Sequence, residues 1–442
     1  MSTVLLISYY FPPIGGAGAQ RPVKFARYLL EQGHTPTVLT GSGHTGGLWT
    51  PPDSTLASDI PPGVTVIRVP GPEPGTDDAL HNRLRRIARM ESDWSRWWQH
   101  GVIEAGRNLR SIDVIYTIMS PYTSAEPSRA LARSLGIGWV ADLGDPLALD
   151  EMILYPTGLH RRLELAHMRR LLGSASAVVM STPEGVRQVI ERFPELEGRP
   201  VVAITNGYDA ADFEEEPAPR DPSRFRIVHT GYLHTELGLQ QRRRAWTRRL
   251  LGGGVPGVDI LTRSHVFLLE AVERLLERDP SLRNRLEVHF AGVLSETDRR
   301  LAASSPASVL HGYLSHADSI ALMRSADLLF LPMQNLPPGR RSSTVPGKTY
   351  EYLASGRPIL AAVPPGDARD TILSAGHTVC DPDDTDAIAE TIASYLNKRG
   401  DEPEVNMELV RCFERRELTR QLADVMRVVA PNTTPAPALP VA

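Results

Sequence analysis

Ser342-Ser-Thr-Val-Pro-Gly-Lys-Thr-Tyr-Glu-Tyr-Leu-Ala-Ser-Gly-Arg-Pro-Ile-Leu-Ala-Ala-Val363 holds one complete unit of the chain's alternating pattern. It follows an apolar run, Asp327 to Pro332, that reads as a buried strand, and it continues as Gly-containing loop, helix and second strand. Pro346 and Gly347 end the loop, Lys348 to Ala354 places Tyr350, Leu353 and Ala354 on one side of a helix, and Gly356 with Pro358 stops it. The start of such a helix carries unsatisfied N–H groups and the positive dipole end, which favour phosphate, and Lys348 adds a mobile positive charge there. One turn on, the carboxylate of Glu351 accepts hydrogen bonds and donates none, which suits a pair of ribose hydroxyls and not a phosphate. Phosphate plus ribose means a nucleotide. An ordinary strand–helix–strand unit with a solvated Lys and Glu has the same pattern.

The chain has 442 residues, enough for two or three domains with ample core. A formal charge of −4 with 23% charged residues carries no bias toward nucleic acid. Lys24, Lys348 and Lys398 are the only lysines among 48 basic residues, so Lys348 stands out against a background of arginine. Cys380 and Cys412 offer no disulfide framework and fit a reducing compartment. Met1 to Phe11 lacks the basic flank and long apolar core of a signal peptide, and no later run has the length of a membrane span, so the expectation is a soluble cytoplasmic protein.

The N-terminal half opens with a strand, Val4 to Tyr10, then Phe11-Pro-Pro-Ile-Gly-Gly-Ala-Gly-Ala-Gln-Arg21, then a helix through Gln32 ended by Gly33. A Gly-rich turn between first strand and first helix lets a ligand approach the backbone closely, although the spacing is neither Gly-x-Gly-x-x-Gly nor a P-loop, and a purely structural turn fits as well. Further apolar runs at Pro36 to Thr40, Thr65 to Val69, Asp113 to Met119, Trp139 to Leu143, Ala177 to Ser181 and Val201 to Thr205 alternate with helical stretches, the signature of a doubly wound parallel sheet. In Arg89 to Leu109, Trp94 and Trp97 or Trp98 share one helix face, a pattern of core packing first and of an aromatic ligand wall second. Ser120 to Ser124 and Ala141 to Pro146 lie at carboxyl ends of strands, where open sheets place ligands, although Asp142 and Asp145 also suit turn caps.

Composition breaks at 209–224, where Glu214-Glu-Glu-Pro-Ala-Pro-Arg-Asp-Pro222 reads as a linker between residues 1–208 and 225–414. The second half alternates again, with strands at Arg226 to Thr230, Leu286 to Ala291, Val309 to Leu314, Asp327 to Pro332, Pro358 to Val363 and His377 to Cys380. Residues 233–264 read as an irregular insertion bearing Arg242-Arg-Arg244, a solvated loop or a basic lid. A last helix, about 415–429, is expected to pack back on the first half, and the Pro- and Ala-rich stretch 430–442 reads as a disordered tail. The run Asp381-Pro-Asp-Asp-Thr-Asp386 contains Asp-x-Asp spacing, but it lies just before a helix and reads as a cap, so no metal site is expected.

Tyr9-Tyr-Phe-Pro-Pro13 with its Gly-rich loop, Asp142-Leu-Gly-Asp-Pro146, Thr205-Asn-Gly-Tyr-Asp209 and Pro346 to Pro358 together resemble a GT-B glycosyltransferase of family 4 over nearly the whole chain. The resemblance implies an α/β fold of two doubly wound, Rossmann-like domains facing across a cleft, with the sugar nucleotide mainly on the C-terminal domain and the acceptor on the N-terminal one. It implies a retaining hexosyltransferase that uses a GDP- or UDP-sugar as substrate and no cofactor. Glu351 matches the family's ribose-binding Glu, while Gly312, Tyr313 and Leu314 match the turn that contacts the base. Gly15, Gly16 and Gly18 match the loop facing the diphosphate, with Gly231 and Gly347 completing the nucleotide-binding set. Arg263 and Lys348 are the expected catalytic cations, and Tyr122, Asp142, Asp145 and Trp98 the expected acceptor-binding residues. The chain departs from the pattern at Ser343, where the family's first Glu belongs, and at Tyr122, where the family often has His. The acceptor expected is a small molecule of a natural-product pathway, lincosamide-type antibiotic assembly being one example. A cell-wall, lipid or polysaccharide acceptor, a sugar-nucleotide 2-epimerase and a non-catalytic sugar-nucleotide-binding protein stand as alternatives.

Overall fold

The computed structural model describes residues 2–45, 50–74, 90–217, 219–398 and 405–430. The expected tail beyond residue 430 lies outside them. Two units emerge from the packing, one made of Met1–Leu149, Arg162–Thr205 and Arg415–Ala442, the other of Asp150–Arg161 and Asn206–Glu414.

In the first unit, β1 (Thr3–Ile7), β2 (Thr35–Thr40), β3 (Thr65–Arg68), β4 (Val114–Ile118), β5 (Gly138–Leu143), β6 (Ala177–Met180) and β7 (Val201–Ala203) form one parallel sheet in the order β3-β2-β1-β4-β5-β6-β7. The near-continuous apolar runs have a simple cause: a parallel sheet covered on both faces buries every residue of its central strands. Leu5 and Ile7 point into one cluster with Trp98, Ile115 and Trp139, whereas Val4 and Leu6 point into another with Phe25, Leu29 and Tyr116. The helix Arg415–Val429 adds Leu418, Leu422, Val425 and Met426 to the second cluster, and it packs on the helix Ala17–Glu31. Three- and four-residue spacing puts those side chains on one stripe.

The second sheet runs β8 (Phe225–Thr230), β9 (Leu286–Ala291), β10 (Ser308–Gly312), β11 (Leu328–Pro332), β12 (Ile359–Ala362) and β13 (Thr378–Cys380), all parallel, in the order β10-β9-β8-β11-β12-β13. Its strand order reverses between β8 and β11, as the first sheet's does between β1 and β4, and ligands of such sheets bind outside the carboxyl ends at that switch.

Three segments differ from their sequence reading. The 209–224 stretch lies within the second unit, where Asp212 pairs with His316 at 2.8 Å and Asp209 caps a short helical turn through the Ala211 amide. Residues 233–264 are not irregular: Thr235–Arg243 and Ala245–Leu251 are helices. Gln and Arg are strong helix formers even where no apolar stripe marks them. The strand expected at 309–314 ends at Gly312, whose φ of 70° turns the chain out of the sheet.

Candidate active site

Glycines mark the switch end of the second sheet. Gly231 follows β8 and donates its amide to the Ala291 carbonyl at the end of β9 (2.6 Å), and Gly292 donates to the Gly312 carbonyl at the end of β10 (2.7 Å). The turns are thus stitched side by side. At Gly231, φ is 104°, a conformation that favours glycine, and a Cβ would stand 2.7 Å from the Nζ of Lys348, so a larger residue would push the ammonium aside.

Lys348 begins the helix Lys348–Ala354, which follows β11 across the switch. The helix is anchored by buried Tyr350, Leu353 and Tyr352, whose hydroxyl accepts the Thr230 amide of β8 at 2.8 Å. Lys348 is partly exposed, and its Nζ lies 3.2 Å from Nε2 of His229. His229 is buried and sits 3.1 Å through Nδ1 from the Phe330 carbonyl, so Nδ1 carries the proton and Nε2 is the acceptor. Burial and the neighbouring lysine charge hold His229 well below the ordinary histidine value. Desolvation, with the Arg263 charge behind it and Glu351 opposing, pulls Lys348 down to about 7. A lysine kept poorly solvated beside an arginine is short of negative charge, and a phosphate supplies it. The Thr349 and Tyr350 amides already donate to Pro346 and Gly347, so fewer free N–H groups remain at the helix start than the sequence suggests. Glu351 stands one turn beyond Lys348 on the same face, partly exposed.

Arg263 is held in a tight turn. Its amide donates to Ile260 and its carbonyl accepts from His234, both at 3.0 Å, while Thr262 Oγ1 donates to the Met333 carbonyl at 2.9 Å. Its guanidinium donates to Gln334 Oε1 at 3.2 Å and lies 3.4 Å from the Met152 sulfur. His234 faces the same cations, is drawn down to about 2 mainly by desolvation, and has a buried Nδ1 with no partner among the described residues. His229 and His234 were not singled out from the sequence. The signal was present in His229-Thr-Gly-Tyr-Leu-His234, two imidazoles bracketing a strand-end glycine. Gly312 ends β10 and Tyr313 and Leu314 follow it, all three partly exposed on the same edge of the sheet, and Gly347 caps the helix start.

In the first unit the expected residues separate. Gly15 donates to Pro51 at 2.7 Å, Gly16 holds φ 82° as the helix cap, and Gly18 lies inside the first turn, where its missing Cβ makes room for the Tyr10 ring. Trp98 and Asp142 cannot meet an acceptor. Trp98 is fully buried with its Nε1 on Ser124 Oγ (3.1 Å), and Asp142, also fully buried, takes Arg21 Nε at 2.9 Å and the Tyr116 hydroxyl. Arg21 in turn donates to the Ile204 and Thr205 carbonyls, so Asp142 tethers the carboxyl ends of the first sheet instead of a ligand. Asp145 is exposed and Tyr122 partly so; the Tyr122 hydroxyl ties the 145–147 turn, donating to the Asp145 carbonyl and accepting from the Leu147 amide. The Asp381 to Asp386 carboxylates are individually engaged: Asp384 caps the helix Thr385–Asn397, Asp381 pairs with Arg369, Asp383 with Asn335, and Asp386 with Arg274. No group of three metal-ligating side chains occurs among the described residues.

Residues 16–207 match the family model of the glycosyl transferase 4-like domain, and residues 261–398 that of the glycosyl transferases group 1. A comparison with curated proteins finds no match by sequence. Among solved structures the chain is similar to sucrose-phosphate synthase from Thermosynechococcus elongatus, with a TM-score of 0.65 and 14% identity over 97% of this chain and 99% of that one. It is similar to HepE of Anabaena in complex with UDP and glucose (TM-score 0.59, 13% identity, 97% and 100% covered). A glycosyltransferase of Rickettsia africae gives 0.59 and 15% over 98% and 99%. These identities speak for the fold, while the two family models together take in well over half of the sequence. This chain belongs to the GT-B glycosyltransferases, with a glycosyl transferase 4-like domain followed by one of the glycosyl transferases group 1.

Proposed function

We propose that the chain transfers a sugar from a UDP- or GDP-sugar to a small-molecule acceptor of a natural-product pathway in the cytoplasm, with retention of configuration and no metal ion. The observation that carries this reading is the convergence of Lys348 and Arg263 at the switch of the second sheet, with Gly231 shaped around the lysine. The similar Anabaena structures hold UDP or UDP-glucose, which supports a nucleoside-diphosphate donor here.

Departure of the diphosphate breaks the bond between the anomeric carbon and the β-phosphate oxygen, and negative charge grows on that phosphate. Two fixed cations in a poorly solvated site stabilise the charge as it forms. The acceptor hydroxyl attacks on the face the phosphate leaves, and its proton passes to the departing phosphate oxygen. No protein nucleophile is then required, and positioning dominates. Glu351 accepts from the ribose hydroxyls, the turn at Gly312, Tyr313 and Leu314 takes the base, and Gly347 lets the diphosphate approach the backbone of the second unit, while Gly15, Gly16 and Gly18 remain a ligand-loop candidate of the first. Exposed Asp145 and partly exposed Tyr122 remain the acceptor-side groups in the first unit.

The test combines two readouts. Nucleoside diphosphate is to be released only when an acceptor is present and at an undiminished rate in EDTA, and the anomeric coupling constant of the product is to match that of the donor. An inverted anomer, or activity abolished by chelation and restored by Mg²⁺, would overturn the mechanism.

A further inference from the structure

Resting on the reading of Lys348 and Arg263 as the donor's phosphate site, we propose that Glu151 is the donor's sugar-binding carboxylate, its Oε2 accepting a hydrogen bond from a sugar hydroxyl. Glu151 comes from the short segment Asp150–Arg161, which belongs to the second unit although the chain on either side of it belongs to the first. The segment is firmly seated. The Tyr155 amide donates to the Gly253 carbonyl at 2.8 Å, and Met152 and Leu154 pack against Val255, Val258 and Ile260.

Glu151 is only 6% exposed, a costly place for a carboxylate unless it is well solvated by donors. Its Oε1 takes two, Ser342 Oγ at 2.7 Å and Gln334 Nε2 at 2.9 Å. Oε2 takes none among the described residues. The contrast is with Asp327, a buried acid of the same unit, which engages both oxygens, one with Arg220 and the other with the Arg226 amide. Glu151 is therefore oriented through one oxygen with the other held in reserve.

Its position suits a sugar. The amide of Gln334 donates to Glu151 through Nε2 and accepts from Arg263 through Oε1, so one amide group separates the carboxylate from a cation of the phosphate site. Gln334 and Ser342 both belong to the loop that ends at Lys348. The sugar of the donor is joined directly to the β-phosphate, so a group one side chain away from a phosphate-binding arginine meets the sugar and not the base. A carboxylate already fixed by neutral donors is a strong, pre-oriented acceptor for a hydroxyl. The competing role is that of a strut that only ties Asp150–Arg161 to the loop.

Calorimetric titration of the full chain and of Glu151→Gln with UDP against UDP-glucose, and with GDP against GDP-mannose, separates the two roles. For the pair that the wild type binds, the variant is to keep its affinity for the nucleoside diphosphate within about twofold and lose about 10- to 150-fold for the nucleotide sugar. Equal losses for both ligands, or none for either, would overturn the proposal and leave the strut. Should the variant bind neither ligand, 2-, 3-, 4- and 6-deoxy donors on the wild type decide: at least one is to bind weaker by a similar factor, and a series as tight as the parent would overturn the proposal. A wild type that binds no nucleoside diphosphate would overturn the donor-site reading itself and this proposal with it, which an indifferent Glu151→Gln in a nucleotide-binding protein would not.

Discussion

Lys348→Ala lowers kcat by roughly one to three orders of magnitude, the range seen when a fixed donor aimed at developing negative charge is removed. Donor binding is expected to survive in large part, because on the proposed site Arg263 also holds the ground-state diphosphate, whereas the charge on the departing β-phosphate peaks late. The effect belongs to chemistry and not to folding: Lys348 is drawn down to about 7 because the fold desolvates it and places Arg263 nearby, an arrangement that costs the free protein stability. Arg263→Ala follows the same pattern with a less clean separation, since Arg263 also holds Gln334 in place. The check is a steady-state comparison of kcat and donor KM. A Lys348→Ala enzyme with wild-type values for both would mean that this lysine is a solvated first-turn residue and that the phosphate lies elsewhere.

Glu351→Ala raises the donor KM and leaves kcat nearly unchanged. With the ribose on Glu351 as proposed, those hydrogen bonds lie far from the reacting bond and are the same before and in the transition state, so their loss is a loss of uniform binding. A hydrogen bond to a charged acceptor contributes about 1.5 to 3 kcal/mol, or about 10- to 150-fold in affinity. Two internal controls sharpen this. A 2′-deoxy or 3′-deoxy nucleotide donor is to be penalised in the wild type and not further penalised in Glu351→Ala. A fall in kcat with KM unchanged would instead place Glu351 at the reacting centre.

Local features of this architecture were open to reading from residue order. The helix Lys348–Ala354 begins and ends where Gly347, Gly356 and Pro358 require, and the strand runs are apolar because both faces of each sheet are covered. What residue order hides is pairing at long range. Arg21 reaches Asp142 across 121 positions, Lys348 reaches His229 across 119, and Ser342 reaches Glu151 across 191. No spacing rule encodes such contacts, which is why Asp142 reads as a strand-end ligand group when it is a buried tether, and why no motif marks Glu151. Trp98 illustrates the converse: helical periodicity marks an apolar face, and the structure buries Trp98 of that face fully while Trp94 and Trp97 stay partly exposed. The helices Thr235–Arg243 and Ala245–Leu251 carry no clear apolar stripe, so only the helix propensity of their Gln and Arg residues marks them.

If Lys348 awaits a diphosphate, binding of the nucleotide is linked to a proton. With a pKa of about 7 in the free protein, Lys348 is mostly neutral at pH 8. A bound diphosphate favours the ammonium form and raises that pKa, so binding must take up a proton, and affinity must fall as pH rises above 7. Calorimetry of UDP or GDP binding at pH 8 in two buffers of different ionisation enthalpy measures this. The wild type is expected to take up a large fraction of one proton and Lys348→Met none; binding without proton uptake in the wild type, or uptake unchanged in the variant, would mean that Lys348 does not meet the diphosphate.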